Sequence, residues 1–144
     1  IDVAPLLPNC TFYIIGGEKI LVKLPNNVVP VRNLPHHELP KFVADKQFYL
    51  QLSMSEGFPN ALCEAMLSGC VPIVSSVGAI PYIIGDNGYL LPKKNVKQLK
   101  SLIQKALNGY TSEQSLKSSQ QITNNFTIEK RKELLNSTIS QLLN

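Results

Sequence analysis

The chain has 144 residues, 44% of them hydrophobic and 17% charged, with a net charge of +4. That length and balance fit one soluble domain able to bury roughly two-thirds of its unfolded surface, and they exclude a disordered or fibrous chain. No apolar run approaches the ~18 residues of a bilayer span; three scattered cysteines, Cys10, Cys63 and Cys70, exclude a disulfide frame or zinc site and suit a reducing, cytoplasmic setting.

The charge is unevenly placed: residues 1–92 carry a net −2 and residues 93–144 a net +6. A solvated, lysine-rich helix surface accounts for the basic half, and peripheral contact with an anionic membrane face is the alternative. No basic strand interleaved with aromatics points to nucleic acid. No signal peptide is visible, and a start at Ile1 instead of Met leads us to expect residues upstream.

In chain order, Thr11–Ile15 is rich in β-formers and stops at Gly16-Gly17, which predicts a buried strand running into a turn. Asn27–Val31 predicts a second strand, with Pro30 marking its end or placing it at an edge. Leu34–Ala44 predicts a short helix broken at Pro40, and Gln47–Leu52 a third strand. A turn over Ser53–Asn60 leads to a helix from Pro59 to Ser68, closed by Gly69.

Val71–Ser76 predicts a strand, Gly78 a loop, Ile80–Ile84 one helical turn, and Tyr89–Leu91 a short strand after Asp86-Asn87-Gly88. From Asn95 to Asn108, apolar residues such as Val96, Leu99 and Ile103 share one helical face. Thr111 with Gln114 is a capping-box signature. A last helix is expected from near Thr127, with Ile128, Leu134, Leu135 and Leu142 at helical spacing.

Short β-type runs alternating with helices predict an α/β fold, a doubly wound, Rossmann-like parallel sheet. In such sheets ligands bind beyond the carboxyl ends of the strands. Gly16-Gly17, the Ser53–Asn60 turn and the Ser75–Ala79 loop should therefore share one rim.

The stretch SEGFPNALCEAM, Ser55 to Met66, holds the most chemistry. Gly57 permits backbone angles closed to other residues and lets a ligand approach the main chain. Pro59 suits the first helical position, where no N–H is needed. The amides of Asn60, Ala61 and Leu62 then point out of the helix start and, with the helix dipole, favour a phosphate or sugar oxygen. Glu56 and Glu64 carry acceptor oxygens suited to vicinal hydroxyls. An exposed loop acid and a dipole-stabilising helix acid explain the same two residues, and on residue chemistry alone both readings stand. His36 and His37 read as a surface turn, because no carboxylate–histidine ligand spacing surrounds them. Ser53 and Ser55 read as partners of turn amides.

The longer stretch SMSEGFPNALCEAMLSGCVPIVSSVGAIPYIIGDNGYLL resembles the signature region of the family-four glycosyltransferases of GT-B architecture. Their pattern is S-x-x-E-G-F, a second Glu after seven intervening residues, A-M, a turn ending in Gly, V-P-hydrophobic-V and V-G-hydrophobic-P. A weaker resemblance over FYIIGG and NLPHHELPKFVADKQFYLQLS extends over most of the chain. Tyr82, where Glu is usual, and Ala79, where a second Gly is usual, depart from the pattern.

The resemblance implies a single donor-binding domain over 1–144, the C-terminal half of a GT-B enzyme. It also implies that the domain's first strand, its diphosphate-neutralising basic pair and the acceptor domain lie upstream. The helix over ~126–144 would pack back towards that acceptor domain. The implied parent is a retaining hexosyltransferase that takes a nucleotide-diphosphate sugar, needs no metal, and serves a sugar or lipid-linked acceptor in bacterial surface polysaccharide synthesis. The isolated domain would be inactive. Glu56 is the implied catalytic residue. Glu64 would hold the ribose, the amides of Gly57 to Asn60 (Phe58 and Pro59 among them) would approach the sugar and diphosphate, with Ala61 and Leu62 also on the donor, and the backbone near Val31–Asn33, Arg32 included, would cradle the base. Gly16 would let the donor lie against the sheet. The alternatives are a non-catalytic nucleotide-sugar-binding module and a dinucleotide oxidoreductase; the absence of G-x-G-x-x-G counts against the second.

Overall fold

A computed structural model describes residues 1–143; the last residue of the domain expected over 1–144 lies outside the described residues. Five strands form: β1 (Phe12–Ile15), β2 (Val28–Val31), β3 (Phe48–Gln51), β4 (Val71–Ser75) and β5 (Tyr89–Leu91). Six helices join them: α1 (Leu39–Val43), α2 (Asn60–Leu67), α3 (Ile80–Ile84), α4 (Val96–Gly109), α5 (Ser112–Asn125) and α6 (Ile128–Leu142). Single 3₁₀ turns cover Ala4–Leu6 and Gly17–Lys19.

All strand pairs are parallel. β1 pairs with β2, Ile15 opposite Val31, and β3-β4-β5 form a second set in that order. Because successive strand residues face opposite sides, β4 feeds two cores. Ile73 joins Val3, Leu7, Leu99 and Ile103 on the face covered by α4 and the first 3₁₀ turn. Val74 joins Leu62, Met66, Ile80, Ile83 and Ile122 on the face covered by α2, α3 and α5. The sheet is thus wound on both sides, as its alternating elements predict, and β4 is buried at every position.

The two strand sets are not continuous. β1 and β3 present their unpaired edges to a cleft of about 1450 Å³, whose walls include Phe12, Tyr13, Ile14, Phe48, Tyr49 and Leu50.

Several boundaries differ from the sequence reading. Pro40 lies in the first turn of α1 instead of breaking a longer helix, because early helical positions need no N–H from it. Pro59 is the N-cap of α2, one residue before the helix, with extended backbone. Gln114 receives the Thr111 cap through its backbone N–H, but its side-chain oxygen is buried without a partner, so the reciprocal half of the capping box is missing. Helix α6 starts at Thr127's cap as expected, yet none of its residues is buried, and Leu134, Leu135 and Leu142 stand exposed.

One device had no reading in the sequence. Ser115, Ser118 and Ser119 of α5 donate hydroxyl hydrogen bonds to the carbonyls of Gly69 (2.7 Å), Cys70 (2.7 Å) and Leu67 (3.1 Å). The carbonyls at the end of α2 have no intrahelical partner, and a serine face at spacing i, i+3, i+4 serves this end. Gly69, at φ +91°, makes the turn that exposes them.

Candidate functional site

The loops after β3 and β4 meet. The Ala79 N–H donates to the Gly57 carbonyl at 3.1 Å, and the Ser75 hydroxyl donates to the Ser53 carbonyl at 2.7 Å. Gly78, at φ +54°, brings its backbone so close to the Glu56 carbonyl that any β-carbon would collide with it. Gly16 and Arg32 follow the paired residues Ile15 and Val31, so the turns after β1 and β2 are also neighbours.

Glu56 is held by one oxygen. Its Oε1 accepts from the Ser53 hydroxyl at 2.6 Å and from the Gln51 amide at 2.8 Å, while Oε2 has no hydrogen-bond partner among the described residues. The Ser53 hydroxyl, then the Gln51 amide, hold the carboxyl below its ordinary range, because hydrogen bonds to the charged form favour it. Ser53 therefore serves the carboxylate directly and not the turn amides expected of it. Gln51 escaped the sequence reading; its only trace is a polar residue closing an apolar strand five positions before Glu56. Its own Oε1 is buried without a partner.

Glu64, one turn into α2, is half-exposed and meets His36 Nε2 at 3.2 Å. His36 and His37 stand in an exposed turn, as the sequence predicts, and from there His36 is also a neighbour of the site. A contact this exposed contributes little and yields readily to a ligand. Burial first, and then the charges of Glu56 and Glu64, push the Tyr49 phenol up, so both carboxylates are felt at that ring.

The start of α2 differs from expectation in one respect. No side chain caps it, but the Leu62 N–H already bonds the Pro59 carbonyl at 3.2 Å. Only the amides of Asn60 and Ala61 remain for a ligand, since a three-residue turn closes beneath Pro59. The Leu62 side chain is fully buried and acts in packing. Pro59 is buried, whereas Gly57, Phe58, Asn60 and Ala61 are exposed.

Gly57 does not use left-handed angles, contrary to the reading of its backbone freedom. What it supplies is room, since nothing lies within 4 Å of where a β-carbon would sit. Gly16 does need its freedom, with φ +76° and equally open space beside it. Arg32 is exposed and pairs with Glu38 at 3.2 Å, and Val31 is half-buried at the end of β2. The large cleft reaches this rim only at its edge, through Ser53, Ala61, Glu64 and Val77; Glu56, Gly57, Val31 and Arg32 are outside its walls.

Burial pushes the Cys70 thiol up to about 11 and, to a lesser degree, the Cys63 thiol beside Glu64, so neither is an activated nucleophile. Among the described residues, no three His, Cys, Asp or Glu side chains gather as a metal site. Nor is any described helix long and apolar enough to cross a membrane.

A family model described as glycosyl transferases group 1 matches residues 2–125. The chain belongs to that family. Among solved structures, this glycosyltransferase chain is similar to a sucrose-phosphate synthase from Thermosynechococcus elongatus. The TM-score is 0.78 and the identity 19%, over 99% of this chain and 41% of that one; at that identity the likeness speaks for the fold alone. It is also similar to the pneumococcal O-GlcNAc transferase GtfA, solved with UDP and GlcNAc (TM-score 0.71, 27% identity, 99% of this chain and 31% of that one). A third similar structure is the C-terminal domain of the group 1 glycosyl transferase LpcC from Francisella tularensis (TM-score 0.56, 25% identity, 73% and 56%). The glycosyltransferase chain thus spans well under two-thirds of each of these structures. No curated protein matches it. The fold is that of the Rossmann-like C-terminal domain of GT-B glycosyltransferases.

Proposed function

We propose that this chain is the donor-binding domain of a retaining hexosyltransferase that uses a nucleotide-diphosphate sugar. The observation that carries the reading is Glu56: ionised, fixed through one oxygen by Ser53 and Gln51, and set beside the open amino end of α2. In the transfer, the bond between the anomeric carbon and the diphosphate oxygen breaks with its electron pair left on that oxygen, and a bond to the acceptor hydroxyl oxygen forms as that hydroxyl's proton passes to the departing diphosphate. Negative charge grows on the departing diphosphate, and positive charge on the anomeric carbon. The amides of Asn60 and Ala61 answer the first, and the free oxygen of Glu56 answers the second. Glu64 takes the ribose hydroxyls in place of His36. Gly16, Val31 and Arg32 line the base end. The reading needs no metal ion.

GtfA, whose structure holds UDP and GlcNAc, supports a nucleotide-sugar donor. The acceptor, a sugar or a lipid-linked sugar of bacterial surface polysaccharide assembly, meets the donor through a further domain of the parent protein, on the cytoplasmic side. The basic half, residues 93–144, gives that parent a peripheral grip on an anionic membrane surface. Because the chain spans 31% and 41% of two related structures, by itself it is a nucleotide-sugar-binding module.

The test is a thermal-shift screen of the full-length protein against uridine-, guanosine- and adenosine-diphosphate sugars. A saturable rise in Tm with one class, lost in Glu64→Ala, is expected. No rise with any of them overturns the reading.

A further inference from the structure

The geometry points to Gln51 as a positioning residue: its side-chain amide ties the loop-borne Glu56 to the end of β3 and so aims the free oxygen of that carboxylate. The inference rests on the reading of Glu56 as the acid that faces the anomeric carbon, and it adds the part that holds this acid in place.

Two donors meet on one oxygen of Glu56, and they stand on different supports. Ser53 lies three residues before Glu56, so its 2.6 Å hydrogen bond closes the loop on itself. Gln51 is the last residue of β3, in register with Val74 of β4, and its 2.8 Å bond reaches Glu56 from the sheet. The backbone beneath both donors is pinned to β4, because the buried Ser75 hydroxyl is shared between the Ser53 carbonyl at 2.7 Å and the Gln51 carbonyl at 3.4 Å. Groups held from a strand keep their geometry better than groups held from a loop alone. With Oε1 fixed from the sheet and from the loop, the direction of Oε2 is set before any sugar arrives.

Packing does not call for an amide at this position. The other residues of β3, Phe48, Tyr49 and Leu50, are aromatic or aliphatic, and Val74, in register with Gln51, is fully buried beside Leu62 and Met66. Gln51 carries a buried side-chain oxygen with no hydrogen-bond partner among the described residues, and an acceptor left in that state lowers stability. Turning the amide round gives no relief, since its oxygen would then face the Glu56 carboxylate, which only accepts. Being buried, the same oxygen is closed to a ligand, so Gln51 acts through Glu56 and not on the sugar. A local cost to folding, kept for one contact with a candidate catalytic acid, is what a positioning role looks like.

The test is Gln51→Met in the full-length protein, which keeps an unbranched side chain and removes the donor and the unpaired oxygen together. Tm should hold or rise. The Glu56 carboxyl, followed by NMR, should titrate closer to its ordinary value of 4.5. With UDP-glucose, GDP-mannose and ADP-glucose as donors and water as acceptor, kcat should fall by about tenfold to a hundredfold while KM changes by less than about twofold. Added to Glu56→Gln, where no charge remains to be aimed, Gln51→Met should lower kcat no further. A lower Tm makes Gln51 a packing residue and overturns the proposal, as does an unmoved Glu56 titration. If Glu56→Gln loses turnover and Gln51→Met keeps it, the role of Gln51 falls and that of Glu56 stands. If both variants keep it, the reading of Glu56 falls as well.

Discussion

Gly78 packs its bare α-carbon against the carbonyl of Glu56, in a left-handed conformation at φ +54°. The loop that carries the candidate catalytic acid is therefore braced by a residue twenty-two positions away in sequence. Gly78→Ala adds a β-carbon where there is no room and strains the backbone as well. It should cost about 1–3 kcal/mol in urea unfolding and lower donor affinity, because Glu56 and Gly57 must move. Wild-type stability in the variant would show that the loop gives way freely.

Glu56 owes its lowered pKa first to Ser53 and then to Gln51. A carboxyl lowered on folding adds stability above its ordinary value of 4.5, and that contribution fades as pH falls through the folded value. Ser53→Ala should raise the Glu56 pKa towards 4.5, read from its carboxyl carbon in an NMR titration. It should also lower stability above pH 4.5 and shrink the loss on acidification below it, because the gap between the folded and unfolded values narrows. An unmoved pKa would show that Ser53 is only a bystander.

In the full-length protein, Glu56→Gln keeps the shape but removes the charge opposite the anomeric carbon. Turnover should drop by about a hundredfold or more, with donor affinity changed much less. Near-normal kcat would remove Glu56 from the chemistry.

Ser118 is fully buried and donates to the Cys70 carbonyl at 2.7 Å. Ser118→Ala leaves that carbonyl without its hydroxyl donor and should cost about 1–3 kcal/mol. The half-buried Ser119→Ala should cost less, and equal costs in thermal melts would count against burial as the cause.

Local pattern made the strands and most helices readable, because short runs of β-formers and a helical apolar face leave marks in a single segment. Phe12–Ile15, Val71–Ser75 and the face of Leu99 and Ile103 are examples. Contacts between segments leave no such mark. Nothing local says that Ser118 serves Cys70, that His36 reaches Glu64, or that Gln51 turns its amide to Glu56. Pro59 and Pro40 were misplaced by a residue or a role because proline suits several positions around a helix start. Spacing made α6 legible as a helix but not what covers its apolar face, since spacing reports amphipathicity alone. The rim was foreseeable from topology; the single-oxygen grip on Glu56 was not.

Helix α5 touches both ends of the element it supports. Its serines hold the tail of α2, while Phe126, just past its far end, meets Phe58 at 5.7 Å beside the head. A pull on the head of α2 by an incoming anion is therefore resisted by a clamp and not by a free rod. Loosening either jaw should blur where the anion sits.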